Sequence, residues 1–237
     1  MTALSVNPSL VEDLVAANRI LAMRGVLDAY GHVSVRSDRD PSRYLMSRSL
    51  APQLVTAGDI QEYGPDHAPI GDDRKPYLER FIHGEVYKAR PDVMAVVHSH
   101  SESSIPFGIS RSALKPVYHM ASFLWSGVPV FDIRRVRDDN DLLVRDVYLG
   151  EALARSLGGS SCVLMRGHGM TVVGDSIPEV VFRAIYTEMN AKLQLQAQAL
   201  EGPLTFLNEV EGKGATAANH GTLERPWALW KKKAMES

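Results

Sequence analysis

Apolar side chains recur near the helical period at Leu10, Val11, Leu14, Val15, Ile20, Leu21 and Met23, which predicts a helix over 8–25. Ser9 or Asn7 is placed to cap it and Gly25 to stop it. The period then changes to two. Residues 31–36 alternate as a strand, and 44–47 form a second short one. Between 47 and 67, Pro52, Gly58, Gly64 and Pro65 interrupt every pattern, so this stretch reads as loop. A helix over 77–89 ends at Arg90-Pro91, because proline disfavours helical geometry in the residue before it. The wholly apolar run Val93-Met94-Ala95-Val96-Val97 suits a buried strand. Helices follow over 101–109 and 146–157, the second stopped by Gly158-Gly159, with strands over 128–133, 162–165 and 170–173. The longest helical pattern covers 177–200, with Pro178 tolerated in its first turn. The remainder, 202–237, is mixed: Gly212-Lys213-Gly214 reads as flexible, whereas Trp227, Leu229 and Trp230 mark a segment that docks on something. With no internal repeat, the pattern predicts one α/β domain over 1–237, with 202–237 as a C-terminal extension.

Composition narrows the classes that such a domain can serve. The chain has 237 residues, long enough to bury a core without disulfides, and it carries one cysteine, Cys162, inside an apolar run. Its 26 basic and 28 acidic residues give a net charge of −2, so a nucleic-acid partner is not expected. No apolar run reaches the roughly 20 residues that span a bilayer, and Met1 to Leu14 has two acids and no base, unlike a signal peptide. The expectation is a soluble, cytoplasmic protein without a membrane partner.

The eight histidines change the picture. His98 and His100 follow the buried run and are two residues apart, so in a strand both imidazoles project to one side. His168 lies between Gly167 and Gly169, which let backbone approach closely and the ring turn inward. These three suit a metal site. Spacing alone equally allows His98-Ser99-His100 to be a polar strand end and His168 a turn residue. Glu79, upstream, adds a carboxylate, or is a solvated helix residue paired with Arg80 or Lys75. His67, His83 and His220 have no evident partner and read as surface or interface residues. Arg134-Arg135-Val136-Arg137 reads as a solvated loop, and Lys231-Lys232-Lys233 is too short for a binding patch.

Glu79, Arg90-Pro91-Asp92, the run from Ala95 to His100, and Gly167-His168-Gly169 together resemble the class II aldolase/adducin family over roughly residues 10–200. The resemblance implies a three-layer α/β/α sandwich around a mostly antiparallel central sheet, and a homotetramer with active sites at subunit interfaces. It makes His98, His100 and His168 the ligands of a divalent ion, with Mn²⁺ expected ahead of Zn²⁺, Co²⁺ or Fe²⁺, and Glu79 the acid/base carboxylate.

Departures from the sugar-phosphate members shift the expected substrate. The family's phosphate-holding asparagine is replaced by His32 in Gly31-His32-Val33-Ser34. Arg48 intrudes in Met46-Ser47-Arg48-Ser49, and Tyr77-Leu78 stands where paired serines precede the glutamate. The arginine offers a planar fork suited to a carboxylate. Ser47, His32 and Tyr77 become candidate substrate contacts, and His119 occupies the place of a proton-donating tyrosine. These features resemble the branch that decarboxylates hydroxylated aromatic or pyridine dicarboxylates. A divalent ion would then stabilise charge left when CO2 departs, and Glu79 or His119 would protonate the carbon. Such a donor needs a carboxyl of raised pKa. An aldolase for an unphosphorylated hydroxy-keto substrate, or a non-catalytic adducin-like module, are the alternatives. Retention of Glu79 with all three histidines argues against the last.

Overall fold

The computed structural model describes residues 6–236. Helix α1 (Pro8–Met23) starts at Asn7, whose side-chain oxygen accepts a hydrogen bond from the Ser9 amide at 3.1 Å. Seven strands follow: β1 (His32–Arg36), β2 (Tyr44–Ser47), β3 (Ile60–Tyr63), β4 (Ala95–Ser99), β5 (Val130–Phe131), β6 (Cys162–Met165) and β7 (Gly169–Gly174). They form one sheet in the order β3-β2-β1-β4-β7-β6-β5. Every neighbouring pair is antiparallel except β5 and β6.

Strand alternation sorts the sheet into two apolar faces. Val33, Val35, Ala95, Val97, Cys162, Leu164, Met170 and Val172 join Leu14, Ile20, Val181 and Ile185 of α1 and α5 (Ile177–Gln198) in one core. Val96, Val163, Met165 and Val173 point the other way, against Ile82, Val86, Leu149 and Leu153 of α2 (Arg80–Ala89) and α4 (Val147–Leu157). The result is the expected α/β/α sandwich with a mostly antiparallel sheet. Side chains such as Val96 and Val97 are fully buried, each worth about 1.5–3 kcal/mol of hydrophobic stabilisation. Cys162 is sealed in the core, where burial pushes its thiol up.

Several boundaries differ from the sequence pattern. The stretch read as loop contains β3, a four-residue edge strand whose Ile60-Gln61-Glu62-Tyr63 is too short and polar to show a period. The expected helix over 101–109 is confined to α3 (Ile105–Ile109), and the strand over 128–133 to two residues followed by a 3-10 turn at Ile133–Arg135. The C-terminal segment is helical, with α6 (Glu209–His220) and α7 (Glu224–Glu236). Gly212, expected to be flexible, is buried inside α6, where a Cβ would lie 2.3 Å from Trp125 Cβ. Trp227 is buried and docks α7 in the core of α1 and α5, as its apolar character suggested, and Lys231 reaches Glu12 and Asp13 on α1 at 2.9 and 2.7 Å. No helix among the described residues is long and apolar enough to cross a membrane.

Candidate metal centre

The antiparallel registers carry the histidines to one end of the sheet. His32 on β1 pairs directly with His98 on β4. His100 lies just beyond β4, and the turn between β6 and β7 brings His168 over that strand end. Two glycines permit this turn. Gly167 has φ +65°, in the left-handed region, and a Cβ on Gly169 would sit 2.0 Å from the Ser99 carbonyl oxygen. Glu79 is not within α2, as the pattern over 77–89 implied, but is its N-cap residue, just ahead of Arg80. From there its carboxylate reaches His98, His168 and the Val144 amide.

The ligand atoms of Glu79, His98, His100 and His168 all lie within 4.8 Å of one another. Glu79 Oε2 is 3.6 Å from His98 Nε2 and 3.4 Å from His168 Nε2, while Glu79 Oε1 accepts a hydrogen bond from the Val144 amide at 2.8 Å. His168 Nδ1 donates to the Leu142 carbonyl at 2.9 Å, and His100 Nδ1 faces Asp28 Oδ2 at 2.9 Å. Each outer contact turns a lone pair at Nε2 inward, the arrangement by which outer-shell partners orient metal-binding imidazoles. The two Nε2 atoms are 3.1 Å apart. His98 is fully buried, and neither of its ring nitrogens has a hydrogen-bond partner among the described residues. Facing lone pairs and a sealed, unpartnered imidazole are costly unless a cation meets them. Three imidazole nitrogens and a carboxylate oxygen therefore fit a divalent transition-metal ion, without distinguishing among Mn²⁺, Zn²⁺, Co²⁺ and Fe²⁺.

Burial pushes His98 well below the usual imidazole range, so it stays neutral. Burial also pulls the Glu79 carboxyl upward. The hydrogen bond to His168, electrostatic interaction with the His98 and His168 rings, and the Val144 amide more than offset it and bring Glu79 down to about 2. The expected raised carboxyl is thus not found. Glu79 is ionised at neutral pH, because imidazoles and an amide surround it rather than an apolar wall.

Other candidate residues divide between the site's rim and elsewhere. The His32 ring lies 5.0 Å from His98 and 4.6 Å from Tyr77, centroid to centroid. The Tyr77 hydroxyl donates to the Leu50 carbonyl and accepts from Ser47 Oγ at 3.4 Å, which ties both residues to the same wall. Arg48 is held by Asp59, with Nε 2.7 Å from Oδ1, and its terminal nitrogens have no protein partner among the described residues. His119 is exposed at the start of a 3-10 stretch, His119–Leu124, and its backbone carbonyl accepts from Asn219 on α6. Within one chain it makes no contact with Glu79 or the three histidines.

Two histidines read as surface residues are instead buried. His83 is fully enclosed against His32 and Ser34, and His67 is 1% exposed with Nε2 2.6 Å from Glu85 Oε1. Both face inward because α2 packs its His83 and Glu85 positions against the sheet and the loop after β3. His220 is exposed as expected, paired with Asp175 at 3.1 Å. The sequence pattern did not single out Asp28, His83, Ser34, Tyr87 or Leu142. Of these only His83 carried a signal, four residues beyond Glu79 on the same helical face.

Decarboxylase tropJ of Talaromyces stipitatus is 41% identical over 244 residues, covering 93% of this chain and 92% of that protein. A 3,4-dihydroxyphthalate decarboxylase of Terrabacter sp. is 32% identical, covering 78% and 80%. An aldolase II superfamily protein of Pseudomonas syringae has the same fold, with a TM-score of 0.82 at 22% identity over 98% of this chain and 95% of that one. The family defined by the class II aldolase and adducin N-terminal domain matches residues 12–195, which span α1 to most of α5 and contain every residue of the metal centre. The chain belongs to the class II aldolase and adducin N-terminal domain family.

Proposed function

We propose that this protein is a divalent-metal-dependent carbon–carbon lyase that decarboxylates a hydroxylated aromatic or pyridine dicarboxylate. The observation that carries the proposal is the convergence of His98, His100 and His168 beside an ionised Glu79, with His98 sealed and unpartnered. Its relatives named as decarboxylases, at 41% and 32% identity, support loss of CO2 rather than aldol cleavage. The ion, Mn²⁺ in this proposal, would be held by the three histidines and would supply a Lewis acid for charge developing on the substrate's hydroxyl oxygen.

The side chains perform the proton chemistry. Glu79, ionised in the resting site, accepts the proton of the ring hydroxyl next to the departing carboxylate. The oxygen left behind pushes electrons into the ring as Glu79 returns the same proton to the carbon that bears the carboxylate, so that carbon becomes tetrahedral and the oxygen a ring ketone. The carbon–carboxylate bond then breaks, CO2 leaves, the bonding pair flows through the ring to that oxygen and restores aromaticity, and solvent reprotonates the oxygen. This sequence resolves the low carboxyl pKa: Glu79 acts first as base, then as acid. Tyr77 and His32 form the wall for the flat ring, with Ser47 behind Tyr77. Arg48, steered by Asp59, keeps its terminal nitrogens for the second carboxylate. His119 serves only through a neighbouring copy in a homotetramer, since its own chain holds it away from the centre.

The decisive experiment incubates Mn²⁺-loaded protein with a panel of ortho-hydroxy aromatic and pyridine dicarboxylates and measures CO2 and aldehyde release. CO2 without aldehyde is expected. Aldehyde without CO2 overturns the proposal in favour of an aldolase acting on an unphosphorylated substrate.

A further inference from the structure

Beneath the candidate metal centre runs a hydrogen-bonded line that the proposed reaction touches only at its His32 end. His32 Nδ1 lies 2.7 Å from His83 Nε2, His83 Nδ1 lies 2.6 Å from Ser34 Oγ, and Ser34 Oγ lies 2.7 Å from the Tyr87 hydroxyl. All four side chains are buried. Burial lowers His83 to about 3, so at neutral pH it carries a single ring proton. In a line of groups that each offer one proton, the direction chosen at one end fixes the direction at the other.

Tyr87 sets that direction. The Val96 amide donates to its hydroxyl, and Ser34 Oγ is the only acceptor for the hydroxyl's own proton among the described residues. If the line ran from His32 toward Tyr87, the buried tyrosine proton would have no acceptor, and an unmade buried hydrogen bond carries the full desolvation penalty. Run the other way, every group is satisfied. Tyr87 donates to Ser34, Ser34 donates to His83 Nδ1, and His83 Nε2 donates to His32 Nδ1. His32 must then keep its own proton on Nε2. That nitrogen has no protein partner among the described residues, and the 2% of His32 that remains exposed includes it. It opens beside Tyr77 and His98.

We propose that His83, anchored by Ser34 and Tyr87, is a positioning residue that fixes His32 as an N–H donor at Nε2, aimed at an anionic oxygen of the substrate. The same constraint stops His32 from becoming a further nitrogen ligand beside His98, because its outward nitrogen has no free lone pair. The substrate role rests on the proposed function, in which His32 lines the pocket; the direction of the line does not.

The test reads the tautomer directly. In protein loaded with diamagnetic Zn²⁺ and labelled with ¹⁵N-histidine, the His32 resonances, assigned by their loss in His32→Gln, are expected to show a protonated Nε2 and an unprotonated Nδ1. The reverse pattern overturns the proposal whether or not any substrate is turned over, so its failure is distinct from failure of the decarboxylase reading. Tyr87→Phe removes only the anchoring hydroxyl. It is expected to divide His32 between both tautomers and to raise KM for a turned-over carboxylate about tenfold, with kcat within about twofold and metal content unchanged. A Tyr87→Phe protein in which neither the tautomer nor KM moves overturns it as well.

Discussion

At the scale of single residues, the centre separates groups that would hold a metal from groups that orient them. His98 has no other use for either ring nitrogen, so His98→Ala is expected to abolish both metal retention and turnover. Metal analysis after gel filtration and CO2 release check this, and undiminished activity would refute the assignment. Asp28 touches the cluster only through His100 Nδ1, at 2.9 Å. Asp28→Ala should therefore weaken metal binding by about 10–100-fold without removing it, the cost of losing an orienting partner. Titration with a competing chelator measures the difference. Glu79→Gln keeps an oxygen for the Val144 amide but cannot carry the proton, so kcat is expected to fall by about 10²–10⁴ while the metal stays bound. A Glu79→Gln enzyme with wild-type kcat would remove the carboxylate from the chemistry. His98-x-His100 and Gly167-His168-Gly169 were legible in the sequence because their spacing and flanking residues carry geometric meaning. Asp28 and Leu142 were not, since an isolated aspartate and a loop carbonyl become partners only when the chain folds back.

At the scale of elements, the centre depends on how closely the β6–β7 turn approaches the end of β4. Gly169 makes that approach possible, since a Cβ would meet the Ser99 carbonyl oxygen at 2.0 Å. Gly169→Ala must push the turn away, with an expected destabilisation of about 1–3 kcal/mol and a displaced His168. Thermal unfolding and metal content should fall together, and an unchanged Tm with full metal content would contradict the packing. The helical patterns of 8–25, 146–157 and 177–200 were read to within about two residues at either end, because their apolar periodicity is the packing signal. Of two four-residue strands, 44–47 was read and the edge strand β3 was not, because polar Gln61 and Glu62 fill the middle of β3. Residues 209–220 escaped too, because their glycines and alanines show little amphipathic pattern. Their helix is set by the Asn208 capping box, whose side chain accepts from the Glu211 amide at 3.0 Å, and by Gly212 seating on Trp125.

Across the whole molecule, burying histidines makes stability depend on pH. His83 stays neutral in the fold because burial lowers it to about 3, whereas in the unfolded chain it protonates below its ordinary 6.5. Its contribution is therefore complete above pH 6.5 and is lost as the pH falls toward 3, at up to about 1.4 kcal/mol per pH unit. Glu79, held at about 2, adds its own loss as the pH falls through its ordinary 4.5 toward 2. Urea denaturation at pH 7, 5.5 and 4.5 should show stability declining over this range, with the fall from pH 7 to 5.5 preceding the contribution of Glu79. A profile flat from pH 7 to 4.5 would mean that His83 is not buried neutral.

The sequence by itself determined an α/β class of fold and most of the elements, because those reside in local periodicity. It offered His98, His100, His168 and Glu79 as candidates, left open by spacing alone and joined into one set only by the resemblance to a family. Only the tertiary structure decided what those groups face. Antiparallel pairing put His32 against His98, helix packing put His83 behind it, and the surrounding imidazoles, not an apolar wall, set Glu79 as an ionised base. Charge state and tautomer depend on neighbours distant in the chain, and a linear pattern does not contain them.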